Sequence, residues 1–377
     1  MKGECQTLEY LRTAPYFPLN GSGNGHLTWV SLDAARGYCM AEDNSGQILA
    51  LSGGGYRGLY TAKLIALLEE KTGLPFARHF DLLAGTSIGG ILALALACEI
   101  SAAKIVRLFE DEGDAIFKLR SWGISKSKYS PGPLKRLLSK EDMFGDRTLA
   151  DCRHAVVVPA VNYTTGNPQM FKTAHHPRLW ADKTKTLVDV ALATSAAPIY
   201  FPRHVMNDCQ YVDGGLIANA PGIVALHEVE RYLGLSQKKV RLLSIGTMSP
   251  RAVADPSANR DGGLRDWGRG SFLKTKKMAE RLFALTISSN ETLVHYMLEH
   301  RLDDRYRRID ENLSGAPDAL LGLDNTSPAA RELMTGRAIQ KAQSLLGDDT
   351  FLPWIEYRAK PRTFYYPAAP EQEQTRA

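Results

Sequence analysis

The 377-residue sequence has few cysteines, little excess charge and no long apolar run. The five cysteines are widely scattered and none forms a C-x-x-C pair, which argues against a zinc site and against a disulfide framework. The longest apolar stretch, residues 88–98, is far shorter than the roughly 20 residues that a membrane-spanning helix needs. We therefore expect a protein of the reducing cytoplasm, with at most peripheral membrane contact.

The N-terminus lacks the apolar core of a signal peptide. The net charge of +5, from 46 Lys and Arg against 41 Asp and Glu, is a mild basic excess. It permits contact with phosphate groups or an anionic lipid surface, but it is too small to indicate a nucleic-acid binder. An ordinary solvated surface explains it equally well. We therefore expect no DNA or RNA polymer as a partner, and an oligomer is left open.

Three regions are predicted along the chain. Residues 1–45 are irregular and are interpreted as an N-terminal extension wrapped on the core. Residues 46–250 alternate apolar runs with glycine-rich turns and form the predicted catalytic core. Residues 251–377 begin with a basic loop and continue as a C-terminal helical region, which we expect to pack on the core.

The apolar pattern predicts the elements of the core. Short apolar runs predict strands at residues 47–52, 80–84, 155–161, 169–173, 210–212 and 240–245. Helical periodicity predicts helices at residues 59–71, 91–98, 101–117, 187–193, 221–233, 276–300 and 328–346. Because strand and helix alternate in the first third of the chain, we expect a three-layer α/β/α fold with a mainly parallel central sheet.

The sequence Gly85-Thr86-Ser87-Ile88-Gly89 matches G-x-S-x-G between a predicted strand and a predicted helix. In that context the serine lies on a strained turn, and side chains at the flanking positions would collide with the strand and the helix. The following helix directs its positive end at the hydroxyl. The pattern indicates Ser87 as a nucleophile, although by itself it also recurs by chance.

A second glycine cluster, Gly53-Gly54-Gly55-Tyr56-Arg57-Gly58, also lies between a strand and a helix. Its unobstructed N–H groups form an anion cradle, suited to a phosphate or to the oxyanion of an acyl-transfer intermediate. The cluster contains G-x-G-x-x-G, so a dinucleotide site is an alternative. Against that alternative, Asp81 opens the next strand rather than closing one, and no Walker G-K-[ST] follows.

A third pattern, Asp213-Gly214-Gly215, follows the short strand at residues 210–212 and precedes a helix start at Pro221. Such a D-G-G sequence alone is usually a turn. Together and in this order, the three glycine-flanked patterns resemble the patatin-like phospholipases. The resemblance covers about residues 48–245, roughly half of the chain.

This resemblance implies a Ser–Asp dyad, with Ser87 as the nucleophile and Asp213 as the general base. It implies that the N–H groups of Gly54 and Gly55, with Gly53 as a further candidate, bind the oxyanion. Arg57 would have a mainly structural role. The other motif positions are Gly58, Gly85, Gly89, Gly214 and Gly215. The implied activity is hydrolysis of the acyl esters of membrane phospholipids, with no metal and no cofactor.

A Ser–His–Asp esterase is the competing catalytic hypothesis, and in α/β-hydrolases its histidine follows the acid. His227, His295 and His300 all fall inside predicted helices rather than on loops at strand ends. We therefore interpret them as surface or core residues. Residues 175–176, a His-His pair before a proline, are interpreted as a turn.

The layout is also similar to a narrower group, the CapV-type patatin-like effectors of bacterial anti-phage (CBASS) signalling. The likeness lies in the glycine-rich loop, in FDLLAGTSIGGILALAL at residues 80–96 and in the C-terminal helical region. It implies activation by a cyclic dinucleotide and action at the inner membrane.

The binding site of such an activator is not visible in the sequence. The basic stretch at residues 260–281 and the C-terminal helices after Lys276 are the candidates, and an ordinary solvated loop explains the basic stretch equally well. Two further alternatives stay open: a constitutive patatin-like lipase without nucleotide control, and a non-catalytic nucleotide-binding module that uses the glycine-rich loop for phosphate.

Overall fold

A computed structural model describes residues 45–121, 125–249, 273–311 and 318–366. The predicted N-terminal extension at residues 1–45, apart from its last residue, lies outside the described residues. The same holds for most of the predicted basic stretch at residues 260–281, of which only the backbone from residue 273 and the side chains from residue 280 are described.

One sheet organises the described residues. Its strands are β1 (Gly46–Leu51), β2 (Leu82–Gly85), β3 (Val156–Asn162), β4 (Asn167–Lys172), β5 (His204–Met206), β6 (Cys209–Asp213), β7 (Val240–Ile245) and β8 (Tyr306–Ile309). Their order is β5-β6-β3-β2-β1-β7-β8, and β4 pairs with the other edge of β3. β1, β2, β3, β7 and β8 are parallel, whereas β4 and β6 run antiparallel to β3, and β5 runs antiparallel to β6.

Helices connect and cover these strands. They are α1 (Gly58–Thr72), α2 (Ile88–Ala97), α3 (Ala102–Ile116), α4 (Pro131–Leu138), α5 (Leu187–Thr194), α6 (Gly215–Ala218), α7 (Gly222–Tyr232), α8 (Leu273–Leu302), α9 (Pro328–Leu346) and α10 (Leu352–Glu356). Within the described ranges, none of them combines the length and the apolar character that a bilayer crossing requires.

Alternate residues of β1 belong to two different cores. Leu49 and Leu51 join the apolar cluster that contains α1, α2, α3 and α9. Ile48 and Ala50 join the cluster that contains α7 and α8. Because successive side chains of a strand point to opposite faces, the sheet is covered on both sides. The predicted three-layer α/β/α fold with a mainly parallel sheet is confirmed.

Several elements differ from the prediction. α2 begins at Ile88 rather than at residue 91, because the helix starts directly after Ser87. β8 was missed because Tyr306-Arg307-Arg308-Ile309 is not an apolar run; its partner β7 supplies the pairing, with Leu242 opposite Tyr306. The short elements α4, α6, α10 and β5 were missed because runs of three to eight residues give too few positions for a periodicity to stand out.

The sheet branches at β3. β2 pairs with Val156 and Val157, and β6 pairs with residues 160–162 on the same edge. Since β2 is parallel and β6 antiparallel to β3, their C-terminal ends point at each other. The gap between them lies opposite Pro159, whose missing N–H costs no ladder bond there and whose carbonyl accepts a hydrogen bond from the Thr194 hydroxyl at 2.6 Å.

The packing of α8 on the sheet can be tested with two leucines of the same helix. Leu298 is fully buried, whereas Leu293 is 55% exposed. We expect Leu298→Ala to lower the free energy of unfolding by about 2–5 kcal/mol through the cavity it leaves. Leu293→Ala should lower it by less than about 0.5 kcal/mol. Urea unfolding measures both, and equal losses would contradict this docking of α8.

Candidate active site

Ser87 and Asp213 meet where β2 and β6 point at each other. Ser87 lies two residues beyond the end of β2, and Asp213 is the last residue of β6. The Ser87 hydroxyl donates a hydrogen bond to Asp213 Oδ2 at 2.7 Å. Asp213 is buried, with only 2% of its surface exposed. The fold therefore places a hydroxyl against a buried carboxylate, the arrangement that a nucleophile and its base require.

The turn that carries Ser87 is strained and tightly packed. Ser87 has φ 55° and ψ −124°, a region that costs a non-glycine residue about 1–3 kcal/mol. A Cβ at Gly85 would lie 2.0 Å from the Gly89 carbonyl oxygen, and one at Gly89 would lie 2.3 Å from the Leu51 carbonyl oxygen. Both glycines are thus needed for close backbone approach. The Ser87 N–H is held by the Thr194 hydroxyl at 3.0 Å.

The Asp213 carboxylate is fixed by its own turn. Oδ1 accepts the Gly215 N–H at 2.7 Å, which leaves Oδ2 for the Ser87 hydroxyl. The Asp213 N–H donates to the Ala196 carbonyl at 3.1 Å. A Cβ at Gly214 would lie 2.2 Å from the Pro159 carbonyl oxygen, so the turn fits into the gap of the sheet only with glycine there.

Burial changes the acidity of this carboxyl. Desolvation raises the pKa of Asp213 to about 6, although the hydrogen bonds from Gly215 and Ser87 favour the ionised form. A base with a pKa near the working pH is ionised at neutral pH and still accepts a proton readily. Asp213 therefore has the acidity that a general base needs.

The glycine-rich loop lies beside Ser87. A Cβ at Gly53 would be 3.2 Å from the Ser87 Cβ. In the described part of the chain, no acceptor engages the N–H groups of Gly54 and Gly55, whereas the Gly53 N–H donates to the Asn219 carbonyl at 3.0 Å. This corrects the inclusion of Gly53 among the oxyanion donors, because its N–H is already used. Gly54 and Gly55 remain the predicted donors.

The same loop is confined on two sides. A Cβ at Gly54 would lie 2.1 Å from the Thr247 hydroxyl, which itself donates to the Gly53 carbonyl at 3.0 Å. A Cβ at Gly58 would lie 2.4 Å from an Ile88 side-chain carbon. The loop is thus held between the residues that follow β7 and the start of α2.

Arg57 joins the loop to the C-terminal region. The residue is 5% exposed, and burial lowers the pKa of its guanidinium. Its Nη1 donates to the Leu321 carbonyl at 2.9 Å and its Nη2 to the Ser249 hydroxyl at 3.1 Å. Next to it, the Tyr56 N–H donates to the Leu323 carbonyl at 2.8 Å. These contacts hold the glycine-rich loop against residues 321 and 323 and the segment after β7.

Other residues of the site have no local signal in the sequence. Thr194 ends α5 and bridges Ser87 and Pro159 through one hydroxyl. Asn290, inside α8, accepts the Asn219 N–H at 3.2 Å and donates to the Ile217 carbonyl at 2.8 Å. Helix α8 therefore holds the segment that follows the Asp213 turn, a contact that only the tertiary structure reveals.

A narrow cavity of about 100 Å³ opens at the dyad. Its walls come mainly from α2, α3, α4 and the segment before β5. Such walls suit an acyl chain, because burying apolar surface is favourable. The apolar lining includes Ile88, Ile91, Ile105, Leu108, Phe109, Ile116, Phe117, Leu134, Leu137, Leu138, Met143, Phe201, Phe283 and Ile287.

The histidines considered for a catalytic triad do not contact Ser87 in the described structure. His227 is exposed on α7. The His295 ring hydrogen-bonds the Tyr306 hydroxyl, and the His300 ring bonds a backbone carbonyl one turn earlier in α8 at 2.7 Å. His175 is buried against a carboxylate of α7 at 3.0 Å, so it is a core residue rather than part of a surface turn. The Ser87 hydroxyl is instead bonded to a carboxylate.

The dinucleotide alternative requires a free acidic group near the glycine-rich loop. Asp81 is buried directly before β2. Its oxygens accept hydrogen bonds from Arg362 and from the Tyr357 hydroxyl, each at 2.6 Å, and from the Gln47 N–H at 2.9 Å. Asp81 is therefore engaged in holding the C-terminal residues on β1 and β2.

Among the described residues, the cysteines form no disulfide and no metal site is found. Cys98, Cys152 and Cys209 are free thiols. In the described ranges, no three His, Cys, Asp or Glu side chains come together in a way that could hold a metal ion.

Comparisons with known proteins give a consistent set of relatives. Residues 49–226 match the family model described as patatin-like phospholipase. The chain is 43% identical to a "cGAMP-activated phospholipase" of Pseudomonas aeruginosa, over 85% of this chain and 94% of that protein. It is 36% identical to a protein of the same name in Vibrio cholerae, over 79% of this chain and 91% of that protein.

Among solved structures, VipD from Legionella pneumophila is similar with a TM-score of 0.41 and 14% identity. That similarity covers 80% of this chain and 67% of VipD.

The acidity of Asp213 can be tested through the reactivity of Ser87. A fluorophosphonate should label Ser87 at a rate that falls as the pH is lowered through about 6, because a protonated Asp213 cannot accept the serine proton. The rate is measured from pH 4.5 to 8 by intact-protein mass spectrometry. Asp213→Asn should label slowly and without an inflection near pH 6. A wild-type profile that is flat in this range would contradict the assignment.

Proposed function

Because the chain belongs to the patatin-like phospholipase family, we propose that Ser87 and Asp213 form the catalytic dyad with which it hydrolyses membrane phospholipids. The chain is a carboxylic ester hydrolase of the phospholipase type. The observation that carries the dyad is the 2.7 Å hydrogen bond from the Ser87 hydroxyl to the buried Asp213 carboxylate, at the mouth of an apolar cavity.

The reaction follows from this geometry in two halves. Asp213 Oδ2 takes the Ser87 proton while Oγ attacks the ester carbonyl, and the N–H groups of Gly54 and Gly55 stabilise the oxyanion. When the tetrahedral intermediate collapses, the C–O bond to glycerol breaks and the leaving oxygen receives the proton from Asp213. A water molecule that gives a proton to Asp213 then attacks the acyl carbonyl. When the bond between the acyl carbon and Ser87 Oγ breaks, Oγ takes that proton back from Asp213, and the fatty acid is released.

The substrate class follows from the walls of the cavity. Apolar side chains line it from the dyad inward, so the acyl part of the substrate enters and the glycerol part stays outside. Leu282 and Leu285 are each 40% exposed on α8 and flank Phe283, which lines the cavity. An apolar rim of this kind supports peripheral contact with a bilayer, from which the lipid is drawn.

We further propose that a cyclic dinucleotide activates the enzyme. The relatives from Pseudomonas and Vibrio are named for activation by cGAMP, and this chain matches them over 94% and 91% of their lengths. The cavity of about 100 Å³ supports a closed resting state, because ligand pockets usually measure roughly 300–1,000 Å³. Activation would then widen the acyl cavity.

The dyad is tested by two variants and one control. Ser87→Ala should abolish both fluorophosphonate labelling and fatty-acid release, and Asp213→Asn should lower kcat by about three orders of magnitude or more. Ser289→Ala is the matched control, because Ser289 is exposed, lies outside the lining of the catalytic cavity and donates its hydroxyl to a backbone carbonyl of α8 at 3.3 Å. It should keep the label. Fatty-acid release by Ser87→Ala at the wild-type rate would refute the dyad.

Activation is tested on vesicles of mixed phospholipids. Wild-type protein should release fatty acid slowly alone and at least about tenfold faster with saturating cGAMP, as expected for a coupling of about 1.4 kcal/mol. Liquid chromatography with mass spectrometry identifies the released acids. An equal rate with and without cGAMP and with other cyclic dinucleotides would support a constitutive lipase instead.

A further inference from the structure

A second and larger cavity lies against α8. Its volume is about 540 Å³, within the range of ligand pockets. Its lining residues on α8 recur at every turn of the helix from Ala284 to Glu299, at intervals of three and four residues, so they form one face of the helix. At 1.5 Å per residue this face is about 22 Å long. The opposite wall comes from the end of β8 and from Leu323. We call this cavity the α8 groove.

The α8 groove shares a wall with the catalytic cavity. Arg57, Ile287 and Leu323 line both. Two chains of hydrogen bonds also lead from the groove to the glycine-rich loop. A ligand in the groove would therefore touch groups that hold the catalytic loop in place.

The first chain starts at Glu291 in the groove. Arg308 donates to Glu291 Oε1 at 2.8 Å, and Asn219 Nδ2 reaches Glu291 Oε2 at 3.5 Å. The same Asn219 amide donates to the Gly53 carbonyl at 3.4 Å, and the Asn219 carbonyl accepts the Gly53 N–H at 3.0 Å. Displacing Glu291 would free the Asn219 side-chain amide and so change its contact with the Gly53 carbonyl, whereas the Gly53 N–H is bonded to the backbone carbonyl of Asn219.

The second chain starts at Arg57. Its Nη2 donates to the Ser249 hydroxyl at 3.1 Å, and that hydroxyl lies 3.1 Å from the Thr247 hydroxyl. Thr247 in turn donates to the Gly53 carbonyl at 3.0 Å. A ligand that hydrogen-bonds or displaces Arg57 would therefore also affect Gly53, through Ser249 and Thr247.

Most charges of the groove are paired within the protein. Arg308 pairs with Glu291 and with Asp310, and Glu311 pairs with Lys341 at 2.7 Å. The groove is thus polar, and its lining carries a net negative charge, which favours a ligand read by hydrogen bonds over one held by charge alone. Its charged lining residues are Arg57, Arg308, Glu291, Glu299, Asp310 and Glu311.

Not every polar group in the groove is paired. Arg57 Nε is buried and has no hydrogen-bond partner in the described part of the chain, whereas His295 Nε2 is buried 3.8 Å from Glu291 Oε1. Glu299 lies exposed at the far end, and Tyr296 is 60% exposed although its ring packs on His300 with 4.3 Å between the ring centroids. A nucleobase supplies acceptors for Arg57, donors for a carboxylate and a flat face for stacking. Because the groove is about 22 Å long, it suits two linked nucleotides better than a compact phospholipid headgroup.

We propose that the α8 groove binds the activating cyclic dinucleotide and transmits its presence to Gly53 through Glu291 and Arg57. This inference rests on the proposed function, in which such a molecule activates the enzyme. The carboxylates and Arg57 read the base edges, Tyr296 stacks on a base, and the phosphodiesters face solvent at the open side.

Binding is measured directly in a background that cannot turn over lipid. Titration calorimetry of cGAMP into Ser87→Ala protein gives the reference affinity. Thr292→Trp adds a bulky ring inside the groove, since Thr292 lines it. We expect at least tenfold weaker binding. Thr286→Trp is the matched control, because Thr286 is an exposed threonine of the same helix with the same hydroxyl bond to the preceding turn and lies outside the groove. It should bind as the reference does.

A second variant tests recognition without filling the groove. Tyr296→Ala removes an exposed ring, and we expect about tenfold weaker binding from the loss of one stacked base. With Ser87 restored, both groove variants should need at least tenfold more cGAMP for half-maximal fatty-acid release. Thermal unfolding at the reference temperature shows that each variant is folded.

The outcomes separate the groove from the activation itself. Unchanged cGAMP affinity in both Thr292→Trp and Tyr296→Ala overturns the groove as the binding site while leaving activation intact. Normal cGAMP affinity with lost phospholipid hydrolysis would instead make the groove a headgroup site and also overturns the proposal. Failure of the Ser87→Ala reference to bind any cyclic dinucleotide overturns activation, and the groove proposal with it.

Discussion

The hydrogen bond between the Ser87 hydroxyl and the buried Asp213 carboxylate is the contact on which the surrounding structure depends. Two strands must end head to head beside β3 to bring these residues together. That arrangement leaves a gap in the sheet, which explains the residues found beside it. Pro159 needs no ladder partner at the gap, and Gly214 leaves room for the Pro159 carbonyl. Burial of Asp213 in this gap is also what raises its pKa to about 6.

Helix α8 links the catalytic centre to the C-terminal region. On one face, Leu298 and Leu302 are buried against the sheet. Nearer the dyad, Asn290 holds the segment after the Asp213 turn, and Phe283 lines the acyl cavity. A third part of its surface lines the α8 groove. A shift of one rigid element would therefore reach the acyl cavity, the dyad and the groove together, which is the physical basis for coupling a ligand to catalysis.

The glycine-rich loop is the most constrained backbone near the dyad. Gly54 packs against Thr247, and the N–H of Gly53 is taken by Asn219. In the described part of the chain, the N–H groups of Gly54 and Gly55 have no protein acceptor, so they are available to an oxyanion. The loop that would stabilise an oxyanion is thus positioned by Thr247, which follows β7, and by Asn219, which follows α6 and is itself held by Asn290 of α8.

The sequence by itself determined the layered fold, because buried strands and amphipathic helices leave apolar patterns that are local. It also indicated Ser87, since the glycines of a strained turn stand next to the residue that they serve. Asp213 was recognisable only through the order of three motifs, because a D-G-G turn has many uses. Only the tertiary structure decided that the Gly53 N–H is occupied, that Thr194 and Asn290 support the dyad, and that a polar strand, β8, borders a groove. Those features arise from contacts between distant segments, and such contacts leave no periodicity in the chain.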